Sequence, residues 1–239
     1  MKNKNHSNIA KLAFDFYIMQ MQWSLWYLGI ATVIILIIPL FLSQTNDWQL
    51  NFVENIYSSS KIYLAIIALF SCFGMLGYMV KNGVTRKDYF YGTAIAAIGV
   101  SFSLMIITTI ISAILYWVGY QPDLQTTSFL NTTSTWFVPI LSLSIILLGY
   151  YIAGWVIAVG YYRFGGLKTV GFILLSLSYV SVIDWLWEGE IIYPFFSKTL
   201  SFSLNGIPIF YSFSITLILI GLALLLVRLM TKRIPIKVE

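Results

Sequence analysis

The sequence predicts an all-α polytopic membrane protein: a single transmembrane domain over residues 1–239 with six transmembrane helices, an amino-terminal interfacial amphipathic helix and both termini cytoplasmic. Three observations carry this. First, 59% of the 239 residues are hydrophobic and only 10% are charged, with a mean hydropathy of +0.85, whereas a soluble domain carries about a quarter charged residues. Second, six apolar runs occupy about 23–42, 62–80, 93–118, 137–161, 169–183 and 207–229. Most of them meet the roughly 20 residues that cross a hydrocarbon layer as helix. Third, the basic residues fall on one side. Lys2, Lys4, Lys11, Lys81, Arg86, Lys87, Arg163, Lys168, Arg228, Lys232, Arg233 and Lys237 lie at the ends and in alternate loops, and only Lys61 and Lys198 lie on the other side. Basic loops stay in the cytoplasm, so both termini belong there, which requires an even number of spans. The net charge of +5 is thus an orientation signal. No basic cluster leaves the membrane flanks, so nucleic acid is not an expected partner, and membrane lipid is.

Before the first span, Ser7 is placed to cap a helix. Ile9, Leu12, Ala13, Phe16 and Met19 then recur at three- and four-residue spacing. This pattern predicts an amphipathic helix over 7–22 in the cytoplasmic interface, with a turn near Gln20–Gln22; the alternative is a simple extension of the first helix into water. The run at 23–42 exceeds a signal-peptide core and no small-residue cleavage site follows Leu42, so a retained first helix is expected. Cys72 is the single cysteine; inside the second span it reads as a small buried apolar residue. His6, the single histidine, has no neighbours of metal-binding type.

Between the second and third spans lies Lys81-Asn-Gly-Val-Thr-Arg-Lys-Asp-Tyr-Phe-Tyr-Gly92. Thr85 with Asp88 three residues on forms a capping pattern, and Asp88 in a first turn suits the helix dipole. A short, rigid, basic helix over 84–91 is the expectation, with a simple solvated loop as the alternative. The outer stretch 121–135 reads as an irregular connector, and Asn131-Thr-Thr is a formal glycosylation sequon, relevant only in a eukaryote. A tight basic turn connects Arg163 to Lys168. The fifth run is marginal at 169–183; it either extends through Trp185 to Trp187 or stops short. Residues 184–206 begin Asp-Trp-Leu-Trp-Glu and continue Ile-Ile-Tyr-Pro-Phe-Phe at 191–196, an apolar run too short to span. They read as an outer re-entrant loop or as an aromatic belt.

No Asp, Glu, Lys or Arg falls near the middle of a run, where proton- or sodium-coupled carriers commonly keep them. Gly149, Ala153, Gly154 and Ala158 give small-xxx-small spacing suited to close helix packing. Catalytic motifs of the H-E-x-x-H and G-x-S-x-G types are missing. The stretch from Gly160 to Thr169 departs from a phosphate loop at Gly166 and Leu167. No catalytic residue, bound cofactor or metal ligand is expected.

The six spans, the amphipathic amino-terminal helix and the stretch Gly83, Val84, Thr85, Arg86, Lys87, Asp88, Tyr89, Phe90 together resemble the membrane (permease) subunit of an ABC exporter of the type 2 permease class. The layout covers essentially the whole chain and the motif about ten positions. The resemblance implies that 84–91 is a coupling helix contacting a separate ATP-binding cassette subunit, which holds ATP and Mg, and that Arg163 and Lys168 make a second cytoplasmic contact. It implies a second permease chain, identical or different, in the cell membrane. Amphipathic peptides, lipids or hydrophobic drugs are the expected cargo, and the abundance of Ile, Asn and Lys fits an AT-rich bacterium. The alternative is a stand-alone six-span channel, carrier or sensor-associated protein that works without an ATPase.

Overall fold

The computed structural model describes residues 3–42, 52–118, 137–188 and 209–232, and all the regular structure among them is helical. The elements in order are α1 (Asn3–Leu42), α2 (Phe52–Phe73), α3 (Met75–Lys81), α4 (Arg86–Trp117), α5 (Phe137–Phe164), α6 (Lys168–Glu188) and α7 (Ile209–Thr231). Six helices among the described residues are long and apolar enough to cross a membrane, with α2 and α3 counting as one span broken at Gly74.

Helix α5 is the axis of the bundle. Four-fifths of its most apolar stretch is buried, and α2, α4, α6 and α7 pack around it. A helix that is apolar on every side belongs in such a central place. Its small residues set the approach distances. A methyl group on Gly154 would sit 2.2 Å from the carbonyl oxygen of Ala65 on α2, so glycine here lets the two backbones touch. Ser176 of α6 donates a hydrogen bond to the Ala153 carbonyl, 3.1 Å away. The small-residue spacing in this span is therefore packing, as the sequence implies.

Helix α1 corrects one expectation. It runs without a break from Asn3 to Leu42, and the turn expected near Gln20–Gln22 is not there. The apolar stripe is real, but protein covers it. Leu12 packs against Gly92 of α4, where a side chain would meet it at 3.1 Å. Phe16 lies edge-on to Tyr89, with ring centroids 5.6 Å apart. The Tyr17 hydroxyl pairs with that of Ser103 at 2.7 Å. Helix α4 thus takes the apolar face that the sequence assigns to a membrane surface.

A second correction concerns α2. It begins at Phe52, ten residues before the expected span, because Phe52, Val53, Ile56 and Tyr57 form a buried face. Helix α6 reaches Glu188, the longer of the two alternatives for the fifth run. The 121–135 connector with its sequon and residues 189–206 lie outside the described residues, as do Arg233 and Lys237. Of the expected re-entrant loop only 184–188 is described, and it continues α6.

Candidate functional site

The turn joining α3 to α4 is built by local hydrogen bonds alone. Gly83 adopts φ +84°, the left-handed conformation that glycine tolerates. Its N–H donates to the Val80 carbonyl and that of Val84 to the Met79 carbonyl, at 3.1 and 3.0 Å, the paired bonds of a Schellman motif. One residue later Thr85 caps α4, its hydroxyl accepting from the Asp88 N–H at 3.1 Å. The capping function of Thr85 and the first-turn position of Asp88 are as the sequence predicts.

Beyond the cap the structure departs from the expected layout. No separate coupling helix stands at 84–91: Arg86 to Tyr91 are the first residues of the 32-residue helix α4, which continues as a span. Two of the side chains expected at the partner contact turn inward. Tyr89 is fully buried, with its hydroxyl donating to the Ser71 carbonyl on α2. Phe90 is 6% exposed and stacks on Trp155 of α5 at 5.4 Å. Two large aromatic rings gain more in the dense core beside α5 than at a solvent-facing turn. Arg86 also turns back, donating from Nη1 to the Lys232 carbonyl at 3.3 Å. Arg163 does the same to the Met230 carbonyl at 3.4 Å. Both guanidinium groups thereby meet the negative end of α7. Sequence spacing gives no sign of this convergence, since the partners are 146 and 67 residues away.

The outward surface that remains is compact. Lys81, Asn82, Gly83, Thr85 and Lys87 are exposed, with Val84, Arg86 and Asp88 partly so. The second turn, between α5 and α6, lies at the same end. Gly165 and Gly166 take φ +62° and +50°, and they project Leu167, which is 89% exposed, next to exposed Lys168. Behind this surface, the start of α4 is tied to α1 through Phe16, to α2 through Ser71, to α5 through Trp155 and to α7 through Arg86.

Towards the opposite end the structure reveals a site whose two charged members a sequence reading places in outer loops. Lys61 and Asp184 form an ion pair at 3.3 Å, with side chains 11% and 7% exposed. Tyr150 donates to the other carboxylate oxygen at 2.6 Å. The Lys61 ammonium also lies over the rings of Tyr57 and Tyr150, 4.7 and 5.4 Å from their centroids. Counted from the turn end at 1.5 Å per residue, Asp184 is about 24 Å along α6 and Tyr150 about 21 Å along α5. The pair therefore sits inside the bundle. It also bridges α2 and α6, whose backbones do not otherwise approach within 8 Å among the described residues. Hydropathy assigns both charges to loops because it ends a span at the first charge.

A third polar group lies in the core. Gln20, wholly buried, donates through Nε2 to the Ser71 hydroxyl at 2.9 Å and to the Tyr151 hydroxyl at 3.0 Å. From there hydroxyls continue along the α1–α2 contact. Tyr63 donates to Ser24 at 3.1 Å, and the stacked rings of Tyr27 and Tyr63 lie 4.0 Å apart. Tyr27 then pairs with Ser59 at 2.6 Å. The 20, 24, 27 spacing on α1 is a helical stripe, which is the signal that would have found this seam.

No protein-family model, curated protein or solved structure matches the chain.

Proposed function

We propose that this chain is the membrane subunit of an ATP-driven export complex in a bacterial cell membrane, with both termini cytoplasmic. A separate ATP-hydrolysing subunit docks on the two turns at the basic end and carries the ATP and Mg. One observation carries the reading: the α3–α4 turn is rigid, basic on its outer side, and anchored behind to four helices. Helix α4 runs unbroken from this turn for 32 residues, about 48 Å. A push on Lys81–Asp88 therefore moves α4 as a lever without first bending a loop. The lack of a separate coupling helix changes the mechanism from the one the resemblance implies: Lys81, Asn82, Thr85 and Lys87, with Leu167 and Lys168, make the contact, while Tyr89 and Phe90 transmit it inward. The cargo class remains amphipathic peptides, lipids or hydrophobic drugs, and two permease chains make the full membrane core.

The Lys61–Asp184–Tyr150 cluster favours the second reading, a stand-alone carrier, because buried ionisable groups in a span are characteristic of ion-coupled transport. In an exporter the same pair is a latch holding α2 to α6. Complex mass separates the two readings. Purified from native membrane in nanodiscs, the export complex contains two permease chains and two ATPase chains. A lone chain that transports in vesicles without nucleotide would overturn the proposal.

A further inference from the structure

Where α4 and α7 meet at the basic end lies an arginine without a carboxylate partner among the described residues. Arg228 lies across the rings of Phe90 and Tyr91, its guanidinium carbon 5.5 and 5.9 Å from their centroids. Its Nη1 is shielded from solvent yet has no hydrogen-bond partner. Arg86 and Lys232, each one helical turn from this contact, bring two further positive charges, and Arg86 is tied to a backbone carbonyl. The Lys61–Asp184 ion pair lies towards the other end of the bundle, and no carboxylate among the described residues pairs with Arg228 or Arg86. That nitrogen is closed off by the chain's own atoms, but the three cations, without a carboxylate partner among the described residues, attract an anion from outside the chain.

The surroundings identify the anion's carrier. Tyr91 and Ile95 of α4, and Leu225 and Leu229 of α7, are exposed at 42%, 51%, 61% and 69%. Tyr91 carries one of the rings under Arg228, Ile95 lies one turn further along α4, and Leu225 and Leu229 lie within one turn of Arg228 on α7. A free phosphate or a protein carboxylate has no use for such flanks. A lipid does: its phosphate meets the arginines while its acyl chains lie along the apolar stripes.

We infer that the α4–α7 seam at the basic end binds the phosphate of an anionic phospholipid from the adjoining leaflet, with Arg228 as its principal donor. Basic pockets between spanning helices take anionic headgroups in this way. Such binding needs no partner ATPase.

The test uses the full chain in nanodiscs of phosphatidylcholine with a minor fraction of phosphatidylglycerol, and counts retained phosphatidylglycerol by native mass spectrometry. Arg228→Gln should lower the retained anionic lipid about fivefold, the equivalent of about 1 kcal/mol per basic residue near a membrane surface. Arg228→Lys should keep most of it, and Lys11→Gln, a basic residue on α1, should change nothing. Equal retention in Arg228→Gln and the parent overturns the inference. So does an equal loss in Lys11→Gln, which marks a diffuse surface attraction, and so does protection of detergent-solubilised protein by inorganic phosphate alone. If Arg228→Gln fails to fold, Arg86→Gln replaces it, with a loss of the same sign expected and unchanged retention overturning the inference.

Discussion

Lys61→Met should destabilise the protein by about 3–5 kcal/mol, because it leaves the buried Asp184 carboxylate without its cation. The unfolding midpoint in detergent should fall by roughly 10 °C. Removing both charges is a different experiment. Lys61→Met with Asp184→Asn leaves an amide oxygen to accept from Tyr150 and no buried charge, so stability should return to within about 1 kcal/mol of the parent. Parent-like stability of the single variant would mean that the 3.3 Å ion pair contributes nothing to the fold. The double variant also separates the two functional readings. An ATP-driven exporter without a charge relay still transports, at a rate altered only by the lost link between α2 and α6. A carrier that uses the pair to move an ion stops.

The second large effect is expected at the turn. Lys81 and Lys87 are exposed, so reversing both to Glu should leave folding and insertion intact. Loss of a single exposed charge is worth little, but two reversals turn attraction for a partner into repulsion. Substrate-stimulated ATP hydrolysis of the reconstituted complex should drop to the level of the ATPase alone. Thr85→Ala should be milder, near the 1 kcal/mol of a lost helix cap. Phe90→Ala is not a clean probe of docking, since removing a buried ring that stacks on Trp155 costs about 3–5 kcal/mol of stability by itself. Wild-type stimulation in the Lys81→Glu, Lys87→Glu variant would reduce this turn to a solvated connector.

The helices are legible in the sequence because hydropathy and length are local properties. Six apolar runs mark six candidate spans, and Thr85 announces its cap because the motif is contained in four residues. The misplaced features are those that depend on what lies across a helix. Leu12 and Phe16 announce an apolar face, yet periodicity is silent on whether lipid headgroups or α4 will cover it. Tyr89 and Phe90 belong to the expected partner contact until Ser71 and Trp155 are brought beside them by the packing of α2 and α5. Lys61 and Asp184 are 123 residues apart, and each by itself looks like the end of a span. Gln20 looks like a turn residue until the Ser71 and Tyr151 hydroxyls converge on its amide. The candidate docking surface is accordingly half legible: its exposed lysines and cap lie where the sequence puts them, while its aromatic residues are buried in the core and Arg86 reaches back to the end of α7.

Docking of an ATPase on the α3–α4 turn can be tested by cross-linking. In a Cys72→Ser background, a single cysteine replaces Asn82 at the exposed tip of the turn, and the chain is co-expressed with a candidate ATP-binding cassette subunit. A short bifunctional thiol reagent applied to inverted membrane vesicles should join the two chains, and the yield should change when ATP is added. A cysteine at Phe210, exposed at the opposite end of α7, should give no product. Labelling of the Asn82 cysteine from outside intact cells, or no cross-link to the ATPase in membranes where both chains are present, would contradict an export complex docked at this turn.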